Sequence, residues 1–310
     1  MISQPALIHS HLFMARAFYD VKCGYQGYGD EARYHLAQTL RHLRSSLDDT
    51  SEAGVTHNVV VVVCLALAST ILGEFATAKK HVEGLARVCE LQHRDPFSKV
   101  PILKHKAMRI DFGLALLSGS QPYFSPDKRT TTQPDNVRLR GTWELLQELS
   151  HLGIAGKLGP TYASIPHRLL TIGPFEPGSM DELQRLSMLA WLKTVLLGVR
   201  GIERHIQYFS DQLKMALLLS YHSHMDSFPH DHEAARMFLW ALFVAMIATN
   251  QMNFSEEEAW ISSALQEVVT VLDLRTWEDV HAALAILPWI GPVFDEPAKV
   301  MYEKWMVSLR

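Results

Sequence analysis

The densest group of ligand-type side chains in this 310-residue chain runs from Tyr221 to Glu233. There His222, His224, His230 and His232 stand among Asp226, Asp231 and Glu233. His-x-His and His-Asp-His spacings offer imidazoles and carboxylates of the kind that bind zinc or another divalent ion. The same residues also describe a solvated interhelical turn, broken by Pro229, in which Asp231 or a neighbour caps the next helix. That second reading is preferred. His232-Glu233-Ala234-Ala235-Arg236 nearly spells the zinc-protease motif. It fails because Arg236 occupies the position, one helical turn on, where a second imidazole must reach the same ion.

Asp48-Asp49-Thr50-Ser51-Glu52 resembles the acidic magnesium motif of terpene cyclases. Those enzymes need a facing Asn/Ser/Glu triplet at four-residue steps. Asn250 and Asn253 do not begin one, since Phe254 and Glu257 stand at the required steps. Asp48 and Asp49 are read instead as a polar helix end. Lys128, Arg129, Arg138 and Arg140 form a loose basic patch beside Trp143, open to phosphate or simply solvated. Trp240, Trp260, Trp277 and Trp289 suit either a pocket lining or core packing. There is no Gly-x-Ser-x-Gly elbow, phosphate-binding Gly-Lys-Ser/Thr loop or dinucleotide glycine fingerprint. No catalytic, cofactor-binding or metal-ligating residue is assigned, and neither enzyme activity nor a cofactor is expected.

Composition sets wider bounds. Apolar residues make up 48% of the chain and charged ones 20%, with a net charge of -4, as in an ordinary globular protein. No Lys/Arg run marks a nucleic-acid surface. Three dispersed cysteines, Cys23, Cys64 and Cys89, suit a reducing compartment. The apolar run Val59 to Leu72 falls short of the roughly 20 residues of a membrane span, so a buried core helix and no membrane association are expected. Met1 to Pro5 lacks the basic region of a secretory signal.

Helical periodicity and capping signals dominate. Helices are predicted over 6–19, from Asp30 to about Leu47, over 59–72 and 76–91 with Gly73 as the turn, and over 104–118. A Pro/Thr-rich loop or linker is predicted over 125–136. Further helices are predicted over 142–152, from Ser179 to about Arg200, and over 203–219. After a second loop over 221–232 come 233–249, 256–272 and 277–287. Nothing shows sustained period-two alternation, so the expected fold is all-α: a multi-helix array of antiparallel hairpins forming one large domain over 1–310.

The order of these pieces resembles the regulatory, or middle homology, region of fungal binuclear-zinc-cluster transcription factors. The resemblance rests on the apolar helix at Leu239-Trp240-Ala241-Leu242-Phe243, the acidic Glu256-Glu257-Glu258-Ala259-Trp260, and Trp277-Glu278 opening a last core helix. Upstream, Gly73-Glu74-Phe75 through Ala78, His81 and Gly84-Leu85 is similar to the family's helical hairpin. Asp111 to Phe124, ending Pro122-Tyr123-Phe124, is similar to the helix and loop that follow. The match runs from about His9 to the C-terminus.

The resemblance implies a nuclear domain that regulates transcription through effector sensing, a dimer partner or proteins of the transcription machinery. DNA would be reached only through a zinc-cluster module. That module needs six cysteines in Cys-x-x-Cys groups, and the chain has none of these groups. Two alternatives stay open: an all-α enzyme or small-molecule carrier of the terpene-cyclase kind, and a scaffold that only binds proteins.

Overall fold

In the computed structural model, residues 4–25, 27–49, 51–91, 97–98, 100–124, 133–152, 164–197, 206–249 and 259–308 are described. Among them lie thirteen α-helices and no strand. The all-α expectation holds. By their internal contacts the residues group into two compact units, Met1–Phe124 with Val199–Glu203, and Ser125–Gly198 with Arg204–Arg310.

The first unit contains α1 (Pro5–Lys22), α2 (Asp30–Ser46), α3 (Glu52–Leu72), α4 (Phe75–Leu91) and α5 (Pro101–Ser118). α3 packs against the other four. Its buried residues, including Val59, Val61, Val63, Leu65 and Ala66, point in several directions, as a helix apolar all round requires. Ser51 caps its start, where Ser51 Oγ accepts from Gly54 N–H at 3.1 Å. The Asp49 carboxylate turns back to accept from Ser51 N–H at 3.0 Å. The Ser51 hydroxyl, then its backbone N–H, hold the Asp49 carboxyl below its ordinary range by hydrogen bonding to it. At the far end Gly73 adopts φ +81°. Its N–H donates to Thr70 O, and Glu74 N–H donates to Ser69 O, the paired bonds of a Schellman turn.

Two side-chain arrangements fix the edges of this unit. Asp111 in α5 is buried, and its two carboxylate oxygens accept from Tyr123 N–H at 3.1 Å and Phe124 N–H at 2.8 Å. They hold the segment beyond Gly119, so that Phe124 meets Phe97 edge to face. Between antiparallel α1 and α2, Arg16 bridges Asp20 at 3.0 Å and Glu31 at 3.1 Å. Two turns back along α1, His9 inserts among Tyr34, His35 and His42. The Nδ1 atoms of His9 and His35 lie 2.8 Å apart.

The second unit contains α6 (Asp135–Leu152), α7 (Ile165–Thr171) and α8 (Met180–Leu192), which runs into a π-helical turn, Lys193–Leu197. It continues with α9 (Gln207–His224), a 3₁₀ turn (Met225–Ser227), α10 (His232–Thr249), α11 (Ala259–Val271), α12 (Trp277–Ala285) and α13 (Gly291–Ser308). α10 is the hub and touches α8, α9, α11, α12 and α13. Every residue from Phe238 to Met246 is buried. Trp240 donates its Nε1–H to Pro288 O at 2.9 Å and meets Trp143 edge to face. Glu182 and Arg185, both buried, pair bidentately at 2.9 and 2.6 Å. Glu182 also accepts from Phe175 N–H, and Arg185 reaches Leu169 O. This network joins α7 to α8 without leaving a charge unpaired.

Both linker expectations change. Asp135 and Asn136 belong to α6, whose first turn is tied by Arg138 to Asp135 at 2.7 Å; residues 125–132 lie outside the described ones. Of the loop expected over 221–232, Tyr221–His224 complete α9, because the Tyr221 ring is buried against Phe238. Phe228 is buried as well, packed on Phe238 from the short turn between the helices. The structure adds α13, for which the sequence reading had no counterpart. By length and composition α3 and α10 could each cross a membrane; each is the packed centre of its unit.

Two outcomes follow from the first unit. Asp111→Ala strands two backbone donors and should lower unfolding free energy by about 2–4 kcal/mol in urea titrations, with Asp111→Asn losing less. Partial burial, then His35 and His42, lower the His9 pKa from 6.5. A neutral imidazole is thus favoured in the fold, and its contribution is complete above pH 6.5 and lost as pH falls from there through the lowered folded value. The urea midpoint should therefore drop between pH 7.5 and 5.5, and drop less in His9→Gln.

Candidate functional site

The residues singled out for chemistry are largely occupied by structure. Asp231 Oδ1 accepts from Ala234 N–H at 3.0 Å and caps α10. His224 Nδ1 lies 3.1 Å from Ser220 O in its own helix, and His222, His230 and His232 are exposed. Among the described residues no group of three His, Cys, Asp or Glu is arranged to hold a metal ion. Asp49 serves the α3 cap. Asn250, Asn253, Phe254 and Glu257 lie outside the described residues, as do Lys128 and Arg129. Arg138 is spent on Asp135 and Thr171, which removes it from any phosphate patch, while Arg140 is exposed.

The tryptophans separate by role. Trp240 is wholly buried and Trp289 nearly so, its Nε1–H donating to Asp295 Oδ1 at 2.7 Å. Trp277 is half-buried at the start of α12, beside His281 and Tyr302. It belongs to the rim of the unit, not to its core. Trp260 lines a cleft.

That cleft lies between α9, α10 and α11. Leu213, Leu217, Leu242, Ala245, Met246 and Ile261 supply apolar walls, and Ser210, Lys214 and Thr249 the polar edge. Its enclosed space is about 20 Å³, room for roughly one water. Its lining includes no imidazole, carboxylate or thiol; its polar side chains are those of Ser210, Lys214 and Thr249, with the Trp260 indole. One turn beyond the lining residues of α9, the Tyr221 hydroxyl donates to Glu267 of α11 at 2.7 Å. Burial, then the Glu267 carboxylate, push the Tyr221 pKa up to about 12. The bond therefore persists throughout the physiological range. Lys193, in the π-helical turn, donates to the Ala248 carbonyl in the last turn of α10, where a cation also favours the helix dipole.

Two groupings had no signal in the sequence. His281 Nε2 lies 3.1 Å from Asp295 Oδ1, the oxygen shared with Trp289, joining α12 to α13. The cleft draws on residues as far apart as Ser210 and Ile261. Neither set shares a local motif.

Tyr221→Phe removes the α9–α11 hydrogen bond while keeping the ring. It should cost about 0.5–1.5 kcal/mol in thermal or urea unfolding. Hydrogen exchange should rise first in α11, with α3 unaffected. No family model, curated protein or solved structure matches the chain.

Proposed function

We propose that the chain is a transcriptional regulatory domain, working in the nucleus through protein partners or a dimer contact. One observation carries the reading: the motifs that resemble the fungal regulatory region occur in the expected order, and those among the described residues coincide with helix boundaries and packing centres; Glu256, Glu257 and Glu258 lie outside the described residues. Gly73 ends α3 and His81 lies on the returning α4. Asp111 anchors Tyr123 and Phe124, Trp240 sits at the hub, and Trp277 follows the Thr276 cap of α12. The resemblance thus falls on residues with defined structural work.

An effector is the weaker part of this reading. Small-molecule pockets usually occupy about 300–1,000 Å³, and the α9–α10–α11 cleft would have to open by movement of α11 to reach that. Protein contact requires no such change. The resemblance assigns base readout to a zinc-cluster module, whose cysteine groups this sequence lacks, so DNA binding by the chain alone should be weak and salt-sensitive.

Fused to an unrelated DNA-binding module in a fungal reporter strain, the chain should raise or lower output relative to the module alone at matched expression. Trp240→Ala, at a cost of about 3–5 kcal/mol for a buried Trp, should abolish the difference. Equal output from fusion and module across nutrient and stress conditions would overturn the proposal.

A further inference from the structure

We infer that the outer face of the α1–α2 hairpin is a docking surface for an acidic amphipathic helix of a partner protein. α1 buries Phe13 and Ala17 on its inner side. Its outer side is also apolar: Ile8 (53% exposed), Leu12 (45%) and Tyr19 (56%), with Ala15 between them, recur at steps of four, three and four. A helix apolar on both sides is normally covered, and this spacing is the seam that a second helix packs against.

The charge on α2, which packs against α1, identifies what would cover that seam. The acids of the hairpin lie at its Gly24–Gly29 end and are engaged: Asp20 and Glu31 with Arg16, and Asp30 with Arg33. From Ala32 to Leu47 there is no Asp or Glu. In that stretch Arg41 and Arg44 are exposed on α2, as is Arg33 beside its partner Asp30, interleaved with exposed Tyr34 and Leu40. Asp48 and Asp49 follow, the latter turned onto Ser51. A second copy would bring arginine against arginine. An apolar stripe flanked by carboxylates would satisfy both the seam and the arginines, in the helix-on-groove mode.

The inference rests on the regulatory reading only for its setting, since peptide binding and reporter output can fail separately. The test uses the full chain and a labelled three-heptad peptide with Leu at the seam positions and Glu/Asp elsewhere. A twin has the same Leu positions and Lys in place of the acids. The acidic peptide should bind, weaken with salt, and lose about tenfold in affinity in Arg41→Glu/Arg44→Glu and in Leu12→Ser. Ile8→Ser serves as a second seam variant, and circular dichroism melts verify folding of each. Equal binding of both peptides, no binding of the acidic one, or indifference to the substitutions would overturn the inference. So would a wild-type dimer that Leu12→Ser makes monomeric, or capture only by anionic phosphatidylserine vesicles.

Discussion

A helix with no polar side must be surrounded, and α10 and α3 are two such helices among the described residues. In α10 the buried run from Phe238 to Met246 covers more than two turns without a break, so no orientation of a single neighbour could cover it. Five other helices of its unit make the jacket. α3 imposes the same demand on the first unit, where α1, α2, α4 and α5 answer it. Burial of apolar area at about 25 cal/mol per Å² makes these two helices the points on which each unit's arrangement depends. The remaining elements can be understood by which side of a central helix they close.

Covering an apolar helix creates polar problems at the edges of the jacket, and specific side chains resolve them. Asp111 accepts the two backbone donors of a chain segment brought in to finish the core. Glu182 and Arg185 neutralise each other while serving Phe175 and Leu169. Trp240 finds a carbonyl in the turn before α13. Gly54 is fixed by a similar closeness, because a Cβ there would come within 2.8 Å of the Asp49 carbonyl oxygen. These groups look like chemistry in a sequence because they are polar and unusual in their surroundings. In the fold they are fasteners.

The all-α class, the α3–Gly73–α4 hairpin and the start of α8 at Ser179 were legible because each depends on local signals: periodicity, a left-handed glycine, a capping hydroxyl. α13 was not legible because Gly291, Pro292 and Pro297 punctuate it, although Phe294, Ala298, Met301 and Trp305 trace a buried stripe at steps of four, three and four. The ends of α6 and α9 were misplaced for a related reason. Asp135 and Tyr221 look like loop residues until Arg138 and Phe238 are known to be their partners. Of the cleft, Trp260 was named beforehand as one of four equivalent tryptophans, and Leu242 as part of an apolar helix, with nothing to join the two. Convergences such as His9 with His35, or Ser210 with Ile261, are tertiary and leave no mark at any fixed spacing.

The division of the chain into two units separates its chromophores as well. All seven tryptophans, from Trp143 to Trp305, belong to the second unit. The first has tyrosines but no indole. Intrinsic tryptophan emission therefore reports on one half of the molecule and is blind to the other. A fluorescence transition and a circular dichroism transition recorded on the same sample weigh the two halves differently, and any gap between them measures how far the halves unfold as one.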